Sequence, residues 1–385
     1  MNNIIKQFKA FCVLMLTLLP LRAEIPIVAF GSIPIEQSTA KRFDEFREAG
    51  FDISIHPFWG SSVNDILRVL DEAQKSGVRL LVGSNLLSSD YWKLISAIKN
   101  HPALYGYYLR DEPMQSDIDV LSRVHNNIRA ADQSHICYLN LLPNYGLSTS
   151  YEQYLRLASE MSLSVISFDH YPITTSGIRT TWYENLELIR QESKRTNTPF
   201  WAFVLSTPHY HYPQPTLASL RLQIYSNLAY GARAIQYFTY WTPEPYDRYD
   251  FHDGPIDNAG NRTRNYDLVR NMNLELRKIL PLFDKAKISS VYHIGDIPYG
   301  TKRIKRTPAN IRKIKIAGAL GAIVSTMNTI DYTYMVLVNK DLNNTLRVDM
   351  SFRKGVVEIT KDLTERDVKD VYYVSPGDLL IFRLA

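Results

Sequence analysis

LYGYYLRDEP, Leu104 to Pro113, alternates aromatic and aliphatic residues and ends in two adjacent acids, Asp111 and Glu112. The alternation predicts a short strand. Pro113 cannot donate to a β-ladder but suits the first turn of a helix, so the strand stops there. The next residues, SDIDVLSRVHNNIRAA, then read as a helix. A strand that carries polar side chains at its carboxyl end, just ahead of a helix, is the repeating unit of a (β/α)₈ barrel.

The same cadence runs through the chain on both sides. Strands are predicted at Ile25 to Pro34, Phe51 to Phe58 and VRLLVGSN, and, after the quoted stretch, at Ile136 to Pro143, Leu163 to Pro172, Pro199 to Pro208 and Arg233 to Pro243. Amphipathic helices separate them. NDILRVLDEAQKSG, for example, places Ile66, Leu67, Val69, Leu70 and Ala73 on one face and stops at Gly77, as a left-handed cap requires. Near-continuous apolar strands imply burial on both faces, hence a parallel sheet covered by helices. An open doubly wound sheet is the competing architecture, but it would more often carry a glycine-rich phosphate turn after the first strand, and GSIPIE is not one. The expected fold is a TIM barrel.

From about Val291 short strands follow at close spacing with no helix between them, which predicts a carboxyl-terminal antiparallel β-sandwich. The expected domains are a signal peptide at 1–23, a barrel at 24–284 and the sandwich at 285–385. The amino terminus supports the first of these: Lys6 and Lys9 precede an apolar run from Ala10 to Leu21 and a small residue at Ala23, too short a run to span a bilayer comfortably. Export to the periplasm or the medium, with no membrane span in the mature chain, is the expectation. Without that segment Cys137 stands alone, so neither a disulfide nor a cysteine metal site can form. A formal charge of +5, from 44 basic and 39 acidic residues, is too mild and dispersed to point to nucleic acid.

In such a barrel the carboxyl ends of the strands form the functional rim. They hold Ser32, His56, Trp59, Asn85, Asp111, Glu112, Asn140, Asp169, His170, Tyr171, Ser206, His209, Tyr240, Trp241 and Glu244. Carboxylates move protons at a glycosidic oxygen, amides bind sugar hydroxyls, and flat aromatics cover the apolar faces of sugar rings. An oligosaccharide or polysaccharide substrate is therefore expected. Asp111, Glu112 and Asp169 are the catalytic candidates, and His56, Asn140, Tyr171, His209, Tyr240, Trp241 and Glu244 the substrate-binding ones. No cofactor is expected. A metal site would need several of His56, His170, His209, His211 and His252 to converge, and no HExxH pair supports one. The GxSxG elbow of a serine hydrolase is absent.

DEP at the end of the fourth strand, ISFDHYP, the YFTYW strand and a sandwich closing on PGDLLIF together resemble secreted bacterial barrel glycosidases of clan A, in particular family 42 β-galactosidases. The resemblance implies a glycoside hydrolase. In that clan the fourth strand ends in Asn-Glu, the Glu being the acid/base; Glu112 matches it, and Asp111 stands where the Asn would be. The clan's nucleophilic Glu lies on the seventh strand, yet Pro199 to Tyr212 contains no acid.

Three readings follow. Glu112 protonates the leaving oxygen and Asp169 or Glu244 acts as base or nucleophile; or Asp111 and Glu112 act as an adjacent pair, as in substrate-assisted N-acetylhexosaminidases, with Asp111 orienting a 2-acetamido group; or the barrel binds glycan without cleaving it. Against all three stands a plain structural role, in which Glu112 or Asp111 caps the next helix and Asp169 is tied down by loop amides.

Overall fold

The computed structural model describes residues 25–31, 33–147 and 149–384; the leader-like segment and Ser32 lie outside them. Eight parallel strands close into a barrel: β1 (Ile27–Phe30), β2 (Ile53–Pro57), β3 (Arg79–Gly83), β4 (Leu104–Asp111), β5 (Ile136–Leu141), β6 (Ile166–Phe168), β7 (Phe200–Leu205) and β8 (Ile235–Phe238). Closure is made by β8 on β1, with Ile235 level with Ile27. Alternation along each strand sorts the side chains into two cores. Val28, Ile55, Leu81, Tyr108, Tyr138 and Trp201 fill the interior, while Ile27, Val82, Tyr107, Leu139 and Val204 face the helices outside.

The sixth predicted strand, Leu163 to Pro172, is regular only over Ile166–Phe168. Beyond it the chain leaves the sheet, with Asp169 and His170 both buried, and runs into a small hairpin of Ile173–Thr174 and Gly177–Ile178.

Ahead of IRKIKIAG, the first sandwich strand expected from the sequence, the last barrel helix, Arg264–Lys285, leads directly into a strand at Lys287–Gly295. Its first half is polar and edge-like, which hid it. It pairs antiparallel with Gly321–Asn328 in a six-stranded sheet, and a three-stranded sheet of Ile311–Ala317, Leu346–Phe352 and Val371–Val374 covers one face. The six-stranded sheet is buried on both sides: Val324, Met335 and Leu337 face the smaller sheet, and Ile323, Val336 and Val338 face the barrel.

The helix Leu217–Tyr230 lies between the barrel and the sandwich and is buried nearly all round, so it shows no single apolar stripe. An ion cluster ties it in place. Arg221 pairs with Glu275 at 2.5 Å and with Asp378 at 3.3 Å, and Lys361 reaches the same two acids at 2.7 and 2.6 Å. Burial would raise the Glu275 carboxyl, but Arg221, Lys361 and Tyr225 outweigh it and bring the pKa down to about 2.

The turn Ser375 to Asp378 touches that helix through Gly377, whose φ is +67°. A Cβ there would lie 2.3 Å from the Ala218 carbonyl oxygen and 2.8 Å from the Leu222 nitrogen. Gly377→Ala combines a left-handed backbone with a clash against backbone atoms, so it should cost about 1–3 kcal/mol, read as a lower urea midpoint at unchanged slope.

Candidate active site

The two acids of β4 reach the same side of the sheet through a break in strand geometry. Tyr107 and Tyr108 lie opposite Cys137 and Tyr138 of β5, but the register then shifts, so that Arg110 lies opposite Leu139 and Asp111 opposite Asn140. Tyr108 points into the barrel. Unbroken alternation would send Arg110 inward and Asp111 outward. The extra residue, Leu109, packs outward and reverses that order. Glu112 would then face away, yet its φ of +42° turns it back, and its N–H is held by the Asn140 carbonyl at 2.9 Å.

Asn140 stands between two acids. Its Nδ2 donates to Asp111 Oδ1 at 3.1 Å and to Asp169 Oδ1 at 2.9 Å, while its Oδ1 accepts from Ser167 Oγ at 2.9 Å. Behind it Tyr138 OH donates to Gln236 Oε1 at 2.7 Å, and Gln236 Nε2 donates to Ser167 Oγ at 2.9 Å. Because the carbonyl end of Asn140 is taken by a hydroxyl donor, its NH₂ must face the carboxylates.

The Glu112 and Asp169 carboxyls are themselves within hydrogen-bonding reach of each other. Two carboxylates in contact cannot both ionise easily, so the pair retains a proton. Asp169 is buried, and that burial, with the charges of Glu112 and Asp111, pushes its pKa well up. Asp111 and Glu112 keep an exposed face toward solvent while protein crowds the rest of each. Crowding and then the Asp111 charge raise Glu112 to about 7. Asp111 is raised by desolvation too, against the pull of Asn140. None of this is helix capping: the Met114 amide ahead of the next helix donates to Asp117 Oδ2 at 2.9 Å.

These acids open onto a cleft of about 350 Å³. Its other walls are aromatic. Tyr145 comes from the loop after β5, Tyr171 from the end of β6, His209 and Tyr212 from beyond β7, and Tyr246, Tyr249 and Phe251 from beyond β8. The His209 ring lies 4.5 Å from Phe251 and 4.8 Å from Tyr212, and its Nδ1 is 2.9 Å from the Thr207 carbonyl. Arg179 braces the wall, its guanidinium 4.5 Å from the Tyr145 ring and its Nη2 donating to Tyr212 OH at 3.2 Å. Among the described residues lining the cleft, Asp111, Glu112 and Asp169 are the acids, and all come from the β4 and β6 side.

The structure thus brings together Asp111, Glu112, Asn140, Asp169, Tyr171 and His209. Four other candidates fall elsewhere. His56 is buried and stacked on Phe58 at 4.4 Å, and burial, then Arg68, lowers its pKa to about 3, so it is a neutral ring in the barrel wall. Tyr240 is fully buried between Phe46 and Phe51, and Trp241 lies in the outer core under Arg42. Both follow β8, where the chain has already turned away from the cleft. Glu244 is exposed in the loop beyond and does not line the cleft, so it is no second carboxylate for Glu112. The sequence reading missed Tyr145, Tyr212, Tyr246, Tyr249 and Phe251. Tyr212, Tyr246, Tyr249 and Phe251 had one signal, the local density of aromatics in HYHYP and PYDRYDF, and Tyr145, in LPNYG, had none.

Comparison with known proteins agrees with this architecture. The glycoside hydrolase family 42 model, described as beta-galactosidase, matches residues 99–279, from just before β4 into the last barrel helix. No curated protein matches the chain. Among solved structures, a catalytic mutant of Gan42B, a GH42 beta-galactosidase from G. stearothermophilus, superposes with a TM-score of 0.67 at 8% identity over 94% of this chain and 99% of that one. A family 39 glycoside hydrolase from the gut symbiont Bacteroides cellulosilyticus WH2 gives 0.54 at 10% identity over 94% and 81%. The beta-galactosidase of the psychrophilic Marinomonas ef1 gives 0.50 at 10% identity over 66% of this chain, which spans 60% of that enzyme. At such identities the structural likeness is one of fold, and the chain resembles family 42 glycosidases in its barrel.

The electrostatics can be checked directly. In a carboxyl ¹³C NMR titration the resonance lost in Glu112→Gln should titrate near pH 7. In Asp111→Asn, which removes a neighbouring negative charge, it should move to lower pH. A Glu112 resonance titrating as an ordinary glutamate would contradict the packing described.

Proposed function

We propose that this chain is a glycoside hydrolase in which Glu112 protonates the glycosidic oxygen as the bond to the sugar breaks. The observation that carries the reading is the position of Glu112: in an open, aromatic-walled cleft, beside a second carboxyl, with its pKa raised to about 7. A carboxylic acid that keeps its proton near neutral pH is what a general acid needs. Burial and the Asp111 charge are what keep that proton on Glu112. The match to the beta-galactosidase family model supports the same class of reaction.

One observation favours a particular route. Retaining and inverting enzymes hold their carboxyls about 5–5.5 Å and about 6.5–9.5 Å apart, with the second group across the sugar from the acid. Asp169 touches Glu112, and the opposite wall, from β7 and β8, supplies aromatics and His209 but no acid among its described residues. Such a site suits a substrate that brings its own nucleophile. In that route Asp111 accepts the N–H of a 2-acetamido group, whose carbonyl oxygen attacks C1 while Glu112 gives its proton to the leaving oxygen. Water, deprotonated by the Glu112 carboxylate, then opens the cyclic intermediate and restores both the acetamido group and the protonated Glu112. Export, with residues 1–23 removed, completes the proposal; the mass of the secreted protein checks it.

The purified protein should be assayed on aryl β-galactosides and aryl N-acetyl-β-hexosaminides. Glu112→Gln should lose roughly a hundredfold or more in turnover on whichever is cleaved. Asp111→Asn should lose a comparable factor on the N-acetylhexosaminide if the acetamido group is the nucleophile. Turnover on the β-galactoside alone would return the mechanism to an external nucleophile, and unchanged turnover in Glu112→Gln would remove Glu112 from the reaction.

A further inference from the structure

At the opposite end of the barrel from the cleft, the starts of β7 and β8 meet the first sandwich strand around a second cavity, of about 410 Å³. Thr198 to Phe200 and Gly231 to Arg233 form one side, and Lys285 to Ile288 the other. The helix Trp182–Thr196 contributes Arg190 and Lys194.

The charge in this cavity is unbalanced. Arg233 is satisfied, pairing with Asp284 at 3.1 Å and donating to the Phe283 and Asp284 carbonyls at 2.8 Å. Lys194, Lys285 and Lys287 have no carboxylate partner among the described residues. Glu187, the other nearby acid, is shared at 3.7 Å between Arg190 and Lys302. Arg190 is 8% exposed. Its Nη2 donates to the Ser289 carbonyl at 3.3 Å, the same oxygen that Lys194 Nζ reaches at 3.4 Å, and its Nε is buried with no partner. A buried guanidinium N–H without an acceptor is costly, and a fork of such donors matches an oxyanion. Partial burial and the proximity of Arg190 hold the Lys194 ammonium below its usual pKa, outweighing the opposing charge of Glu187.

We propose that the cavity bounded by Arg190, Lys194, Lys285 and Lys287 is a binding site for an oxyanion, a sulfate, phosphate or carboxylate group, separate from the catalytic cleft. An anion there would lie against the Arg190 side chain, which lines the cavity, and neutralise the lysines around it. It would also bridge the barrel and the sandwich, since Arg190 belongs to one and Lys287 to the other.

The test is thermal unfolding of the full chain in sulfate, phosphate or glucuronate against chloride at matched ionic strength. Ligands that bind the native state raise Tm and saturate, whereas general salting effects grow linearly. The wild type should show a saturable rise of about 2 °C at tenfold excess over the dissociation constant. Arg190→Gln and the exposed-site variant Lys194→Met should lose the saturable part, and Lys354→Met, on the far side of the sandwich, should keep it. Should Arg190→Gln not fold, Lys194→Met alone decides. A preference for glucuronate would indicate an acidic sugar, and a preference for phosphate or sulfate a free ion or an esterified ligand. Equal responses in wild type and Lys194→Met, or a rise that never saturates, would overturn the proposal.

Discussion

The side-chain amide of Asn140 gives one hydrogen to a carboxylate on each neighbouring strand, Asp111 on β4 and Asp169 after β6. Three acids gathered at one strand rim would otherwise repel one another and resist desolvation. The amide offsets part of that, and the raised pKa values of Glu112 and Asp169, from burial and their neighbouring charges, favour a protonated group there. Asn140 is in turn oriented by Ser167, Gln236 and Tyr138, a polar chain that crosses the barrel interior to β8. The rim acids are thus placed by hydrogen bonds that run through the barrel, and the raised pKa of Glu112 comes from burial and the Asp111 charge.

A second constraint is the backbone that presents the acids. The bulge at Leu109 and the left-handed Glu112 both depart from regular strand geometry. Strain of this kind persists only where the surroundings hold it. Here Glu112 N–H is bonded to β5, and the carbonyl of Pro113 accepts from Tyr154 OH at 2.7 Å. The aromatic walls need no such order, since they come from long loops held by ring contacts and by Arg179.

The sandwich is packed as part of the same body. Its larger sheet shares an apolar core with the barrel helices, and the cluster of Arg221, Glu275, Lys361 and Asp378 crosses the boundary. The acid-bearing cleft opens at one end of the barrel, and the cation-lined cavity lies at the other, where barrel and sandwich meet. The two ends differ in chemistry because one gathers acids from strand carboxyl ends and the other gathers bases from a helix and the domain junction.

By itself the sequence determined the barrel, the following antiparallel sheets and the acids of β4, because period-two strands, amphipathic helices and Asp111-Glu112-Pro113 are local patterns. It also put Asn140, Asp169, Tyr171 and His209 at strand ends, which is where they lie. Only the tertiary structure decided which of the rim residues share a cavity. Tyr240 and Trp241 follow a strand end just as Asp111 does, yet they enter the outer core, and His56 is sealed into the wall. The bulge at Leu109 leaves no mark in residue type, and Tyr145, Tyr212, Tyr246, Tyr249 and Phe251 converge from loops without periodicity. Contact between Glu112 and Asp169, 57 residues apart in the chain numbering, arises from the closing of the barrel, because side-chain direction at a strand end depends on pairing with neighbours that the local sequence does not contain.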